Sequence, residues 1–156
     1  MTFSFIDATP EHADYLATRL RPIDALEVAC VGSTPERSLH LSLTLPNSKV
    51  LTAVDQQDTP LFMCGVSQSP EQPDMGVVWL LASNEVMKHK RHFLKMSMPI
   101  FDDFLKGYKA LYIFVHKDNK TSIRWLEWCG CTVDKSQPYD VGGHPFYLLI
   151  KEAYDE

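Results

Sequence analysis

The sequence predicts an α/β fold: one mixed sheet in a single domain, with helices on both of its faces. Three observations predict it. The chain has 156 residues, 45% of them hydrophobic, which is enough for one core and one domain. Strand-like apolar runs are interleaved with stretches that open on Thr-Pro-Glu or on Asn and close on Gly. The third is the segment 111–131. There an unbroken run of β-branched and aromatic residues, LYIFV, gives way at once to a helix capped by Asn119 and ended by Gly130. The apolar run predicts a strand buried on both faces. Its junction with the helix presents free backbone N–H groups beside the strand end, which favour an anion or a carbonyl. Taken by itself, such a junction is also ordinary α/β punctuation.

The elements follow in order. Residues 3–6 alternate in polarity and predict a first strand. Thr9, Pro10 and Glu11 are a cap, a first-position proline and a first-turn acid; Ala13, Leu16 and Leu20 give that helix its apolar stripe. Pro22 interrupts it, and a second helical segment covers 23–31 up to Gly32. Thr34-Pro35-Glu36 repeats the start signal, for a helix through Leu39, Leu43 and Leu45. Strands are predicted at 50–54, 61–66 and 75–81, the first two as a hairpin and the third continuously buried. The longest helix runs from Ser83 to about Gly107 with a core face of Phe93, Ile100, Phe101, Phe104, Leu105 and Tyr108; Pro99 should kink or split it. After the 111–130 unit, a hairpin turns at Gly142-Gly143 and returns as a strand over 145–150. The domain spans 1–150, and 151–156 form a loose tail.

The formal net charge of −5 excludes a surface built to hold nucleic acid or an anionic membrane. No long apolar run and no leader pattern occur, so a protein of a cytoplasmic compartment is expected. Cys30, Cys64, Cys129 and Cys131 fit no zinc or redox spacing and read as free thiols, mostly buried.

The element order, together with Asn119, Ser122 three residues on and Gly130, resembles the GCN5-related N-acetyltransferase (GNAT) superfamily over nearly the whole chain. A narrower resemblance is to small GNAT-like proteins of short-tailed bacteriophages, often called internal virion protein A. Residues 86–93, 119–130 and 146–150 carry it. The superfamily resemblance implies an acetyl-CoA site where central parallel strands splay. It also implies a glycine-containing loop that opens the long helix and holds the pyrophosphate on its backbone amides. The corresponding stretch, 83–92, contains no glycine; Lys90 and His92 stand where glycines are expected. Bulky side chains there obstruct the approach of phosphate to the main chain. This counts against normal cofactor binding, so no cofactor is expected, or acetyl-CoA if the site has diverged.

The cofactor-contact candidates are therefore the side chains of Lys88, Lys90 and Arg91, with Asn119 and Ser122 at the second junction. The plain reading of Lys88, His89, Lys90, Arg91 and His92 is a solvated basic helix face. His89 and His92 share a face but lack a further ligand, so no metal is expected. Catalytic residues stay unassigned. Where many relatives carry a tyrosine that protonates the departing thiolate, this chain has Leu126; Cys129 or Tyr147 could substitute only without support from spacing. Asp74 is the acid near the expected base position and also reads as a solvated loop residue; Glu85, near the expected cleft, also reads as a helix first-turn acid stabilised by the dipole. Trp79, Trp125 and Trp128 read as core or as an aromatic wall. Arg124 reads as a phosphate partner or a surface residue.

Two main functions remain in view. One is a phage-encoded scaffold without normal acetyltransferase chemistry. It would bind in virion morphogenesis or on a host component, in the host cytoplasm or within the virion. The other is an active acetyl-CoA-dependent N-acetyltransferase with a divergent pyrophosphate site. A nucleic-acid adaptor using the basic helix is a weaker third. No membrane span is predicted, and the oligomeric state is open.

Overall fold

The computed structural model describes residues 1–153. Strand β1 (Ser4–Asp7) leads into helices α1 (Pro10–Ala17), α2 (Pro22–Cys30) and α3 (Pro35–Ser42). Strands β2 (Ser48–Val54), β3 (Pro60–Gln68) and β4 (Met75–Ala82) follow. A 3₁₀ segment, Asn84–His89, precedes helix α4 (Lys90–Leu105). Strand β5 (Ala110–His116), helix α5 (Lys120–Trp128) and strands β6 (Thr132–Val133), β7 (Tyr139–Val141) and β8 (His144–Glu152) complete the order.

The local chemistry explains the helix starts. The Thr9 and Thr34 hydroxyls accept from His12 N and Arg37 N, while Pro10 and Pro35 occupy first helical positions. Gly130, at φ +96°, ends α5 in the left-handed conformation that glycine adopts most readily.

Eight strands form one sheet in the order β1-β2-β3-β4-β5-β8-β6, with β7 on the remaining length of β8. All pairs are antiparallel except β4 with β5. That parallel pair has the register Met75–Ala110, Gly76–Leu111 and Val77–Tyr112, and no more. β4 continues to Ala82 and β5 to His116, so the two strands diverge. This mixed, open sheet with helices on both faces is the arrangement that the superfamily resemblance implies.

Two apolar clusters hold the layers. On one face Phe62, Val78, Leu111, Val115 and Leu149 pack with Phe101, Phe104, Ile123 and Leu126 of α4 and α5. On the other, Met63, Trp79 and Leu81 meet Ala13, Leu16 and Leu39 of α1 and α3. Helix cover therefore reaches both faces of β4. On the second face of β5 the middle of the strand stays open. Phe114 is 40% exposed there and rests edge-on against Tyr139 at 5.3 Å, which corrects the expectation of a strand buried on both sides.

Other boundaries also move. α1 ends at Ala17, and Leu20 instead bridges to Ser83 of the β4 end; α3 stops at Ser42, before Leu43 and Leu45. The long helix is broken at its start, by the 3₁₀ segment. Pro99 lies inside α4, whose helical assignment continues across it. β8 runs to Glu152 with Lys151 buried, so the strand extends past the expected domain end at 150. Positions 154–156 of the expected tail lie outside the described residues. Among the described residues no helix is long and apolar enough to cross a membrane.

Candidate functional site

The divergence of β4 and β5 opens a cleft of about 270 Å³. Leu80, Ala82, Val86, Met87, Phe93, Leu94 and Trp125 supply apolar wall, and Arg21, Lys90 and Arg124 supply charge. The side chains of 87–92 do not fill it. The volume is just below the ~300 Å³ lower end of small-molecule sites.

Two strand–helix junctions flank the cleft. At the β5 junction Asn119 Oδ1 accepts from Ser122 N at 3.3 Å and caps α5, as expected from the sequence. At the β4 junction the Ser83 hydroxyl donates to Leu61 O at 3.0 Å and caps nothing. The Val86 amide donates to Ser83 O at 3.3 Å, and the 3₁₀ ladder uses the amides that follow in the same way. Helix α4 then begins at Lys90 with no side-chain cap. From Val86 onward the backbone donors at this end are engaged in the turn itself; the amides of Asn84 and Glu85 precede that ladder.

The candidate contact residues separate accordingly. Lys90 and Ser122 line the cleft. Lys88 is turned to Glu85, at 2.9 Å on the exposed surface, and neither it nor Arg91 belongs to the cleft wall. Asn119 stands behind the wall as the cap. The histidines are not on a solvated basic face. His89 is buried, with Nδ1 3.2 Å from Glu85 O, and the His92 ring stacks edge-on against Phe3 with Nε2 2.8 Å from Phe3 O. Arg124 is in the cleft wall, and among the described residues neither it nor Lys90 has an acidic partner.

The acid–base candidates fare differently. Asp74 sits beside Met75, at the paired end of β4, and faces Lys109 at 3.6 Å; it is on the opposite end from the opening. Glu85 is exposed and ion-paired to Lys88. Leu126 is fully buried. Burial pushes the Cys129 thiol up to about 12, and neither Cys129 nor Tyr147 lines the cleft. Trp125 is wall and core at once, its indole N–H donating to Ser97 Oγ at 2.8 Å, whereas Trp128 is 56% exposed at the rim. All four cysteines are free, and three are buried.

Sequence reasoning placed a helix over 23–31, where α2 lies, but missed its two acids as site residues. Its two acids are its sole charges, set one turn apart on an otherwise apolar helix, and that isolation was the available signal. Asp24 is buried and takes both prongs of Arg21, at 2.7 and 3.0 Å, together with Ala82 N at 2.9 Å. Glu27 Oε1 accepts from Asn119 Nδ2 at 2.7 Å and from His116 N at 3.2 Å. Helix α2 thus ties the end of β4 to the end of β5 across the opening. Arg21 continues to Ser122 Oγ, which accepts at 3.3 Å. Burial pushes the Glu27 carboxyl from its ordinary 4.5 up to about 7. The Asp24 charge adds to that shift, while the Asn119 and His116 hydrogen bonds and Arg21 oppose it. His116 Nδ1 accepts from Asp118 N at 3.0 Å, so its Nε2 is the donor to His144 Nδ1, also at 3.0 Å. Away from the opening, Asp14, Glu36 and His40 gather their ligand-type atoms within 4.8 Å on the α1–α3 surface, with His40 bonded to Asp14 at 2.7 Å.

Comparison with solved structures agrees with this architecture. A GCN5-related N-acetyltransferase from Kribbella flavida is similar at 14% identity and a TM-score of 0.73, covering 97% of this chain and 98% of its own. AAC(6')-Ib, solved with ribostamycin and coenzyme A, is similar at 12% identity and a TM-score of 0.72, over 97% of this chain and 94% of its own. An acetyltransferase from Thermus thermophilus gives 16% identity and a TM-score of 0.66, over 98% of each. No protein-family model and no curated protein matches the chain. Identities this low establish the fold and nothing finer.

Proposed function

We propose that the chain binds an acyl-coenzyme A in the cleft between β4 and β5 and transfers the acyl group to an amine. The observation that carries this reading is the open cleft itself, apolar within and edged by Lys90 and Arg124, two cations without acidic partners among the described residues. An apolar lining suits a pantetheine arm, and the unpaired cations suit its phosphates. Lys90 and Arg124 take over by side chain part of what backbone amides do elsewhere, because the amides of the 3₁₀ segment from Val86 onward are already bonded. Lys88 and Arg91 play no part. The neutral amine attacks the thioester directly. Leu126 cannot donate to the thiolate, so the leaving group takes its proton from the amine that has attacked or from solvent. Coenzyme A and acetyl-CoA should each raise the melting temperature, since a ligand of the native state stabilises it by mass action. No shift at millimolar cofactor sinks the reading.

A second reading keeps the scaffold without the chemistry. It is favoured by the occupied amides of the 3₁₀ segment and by the absence of a proton donor at Leu126. In it the chain is a phage protein that acts by binding in virion morphogenesis or on a host component, in the host cytoplasm or within the particle. The resemblance of 86–93, 119–130 and 146–150 to short-tailed phage proteins supports that role. Purified virions that contain the chain at fixed stoichiometry would favour it; particles that assemble and infect normally without the chain would end it.

A further inference from the structure

The two carboxylates of α2 meet the ends of β4 and β5, and they are not equivalent. Asp24 is saturated by Arg21 and Ala82 N. Both donors to Glu27 converge on Oε1, and Oε2 accepts no hydrogen bond among the described residues. Nor is Oε2 sealed away, because Thr52 Oγ1 is the buried side-chain polar atom left without a partner among them. One oxygen is fixed by two donors from β5 and α5; the other is open. Asn119, which fixes it, also accepts from the amide of Ser122 in the cleft wall, so Glu27 lies one side chain from the cleft.

We propose that Glu27 Oε2 is the proton acceptor for the substrate amine, and that the acyl acceptor is a protonated primary amine entering at the diverging ends of β4 and β5. This rests on the acyl-coenzyme A reading above. The ammonium group gives one proton to Oε2, leaving a neutral amine and a carboxylic acid. The amine nitrogen forms a bond to the thioester carbonyl carbon, and the C–S bond breaks. The thiolate takes up the second proton lost by nitrogen as the amide forms, and Glu27 returns its proton to solvent. The groups facing Glu27 are Arg21 and Asp24 from the α2 side, and Asn119 with the bonded His116–His144 pair from the β5 side. A carboxyl raised to about 7 by burial is half ionised near neutrality, which suits a general base. Asp24, pinned by Arg21, has no free oxygen for the same task.

The test measures free-thiol release from acetyl-CoA with n-butylamine as acceptor, in the native protein and in Glu27→Gln, across pH. Glutamine still offers an accepting oxygen to Asn119 and His116 N but presents an NH₂ where a base is needed. The expected result is unchanged acetyl-CoA binding, a roughly hundredfold loss of amine-dependent release, and loss of the rise in rate through pH 7 that the native protein shows. Cofactor binding with equal release and equal pH profiles overturns the assignment, as does binding with no amine-dependent release from the native protein. If Glu27→Gln does not fold, the native pH profile decides, and a flat profile through pH 7 overturns it. Absence of acetyl-CoA binding by the native protein is a separate outcome: it rejects the cleft reading itself and this inference with it.

Discussion

The two strand–helix junctions beside the opening share a geometry and differ in chemistry. β5 passes to α5 through a side-chain cap, with Asn119 satisfying Ser122 N and holding Glu27. β4 passes to α4 through a 3₁₀ segment that satisfies its amides from Val86 onward and leaves α4 without a side-chain cap. The first junction is built from side chains acting on backbone, the second from backbone acting on itself. A site between them meets a polar, ordered wall on one side. On the other it meets Met87 and Lys90, which offer contact and charge by side chain.

The largest expected effect breaks the wall that carries the capped junction. Leu126→Ala removes a fully buried side chain from between α5 and the sheet and should cost about 2–5 kcal/mol. Chemical denaturation measures it; a loss under 1 kcal/mol would mean that α5 is not anchored by this face. Next is Glu27. Its folded value, about 7, lies above its ordinary 4.5, so the native state holds a proton that the unfolded chain has released. The stability this contributes is fully present below about pH 4.5 and is lost as pH rises through about 7. Linkage caps the change at about 3 kcal/mol. Melting against pH should fall across that window in the native protein, and Glu27→Gln should remove that part of the slope.

Asn119→Ala should cost about 1 kcal/mol as a lost cap. It also leaves Glu27 Oε1 with one donor, which should raise the carboxyl further. A carboxyl titration unchanged in the variant would separate the cap from the acid. At the other junction the corresponding change is smaller. Lys88→Ala breaks one exposed ion pair with Glu85 and should alter stability by no more than about 0.5 kcal/mol, with cofactor affinity unchanged.

Much of the fold was legible because its signals are local. Thr9, Thr34 and Asn119 announce helix starts, Gly130 announces an end, and β-branched runs announce strands. What failed depended on neighbours. LYIFV reads as buried on both sides, yet Phe114 is left partly exposed beside Tyr139. The 83–89 stretch carries helix-forming residues, yet folds as 3₁₀ between the bridged Ser83 and the inward-turned His89 and His92. Beside the cleft, Lys90, Asn119 and Ser122 are the residues that a motif singles out in the sequence. Arg21, Asp24 and Glu27 are not, because their partners Ala82, His116, Asn119 and Ser122 are remote in sequence. Gly142 shows the same limit. A Cβ there would come within 2.2 Å of Cys30 O, so the final hairpin turn is pressed against the end of α2, a contact that no turn motif reveals.

The central claim is that phosphate is gripped by side chains at the β4 junction. Titration calorimetry of coenzyme A into the native protein and Lys90→Ala addresses it most directly. Loss of one charge-assisted phosphate contact should weaken binding about tenfold, and the difference should shrink as salt is raised. Equal affinities in the two proteins, independent of salt, would place the grip on the main chain and contradict the account.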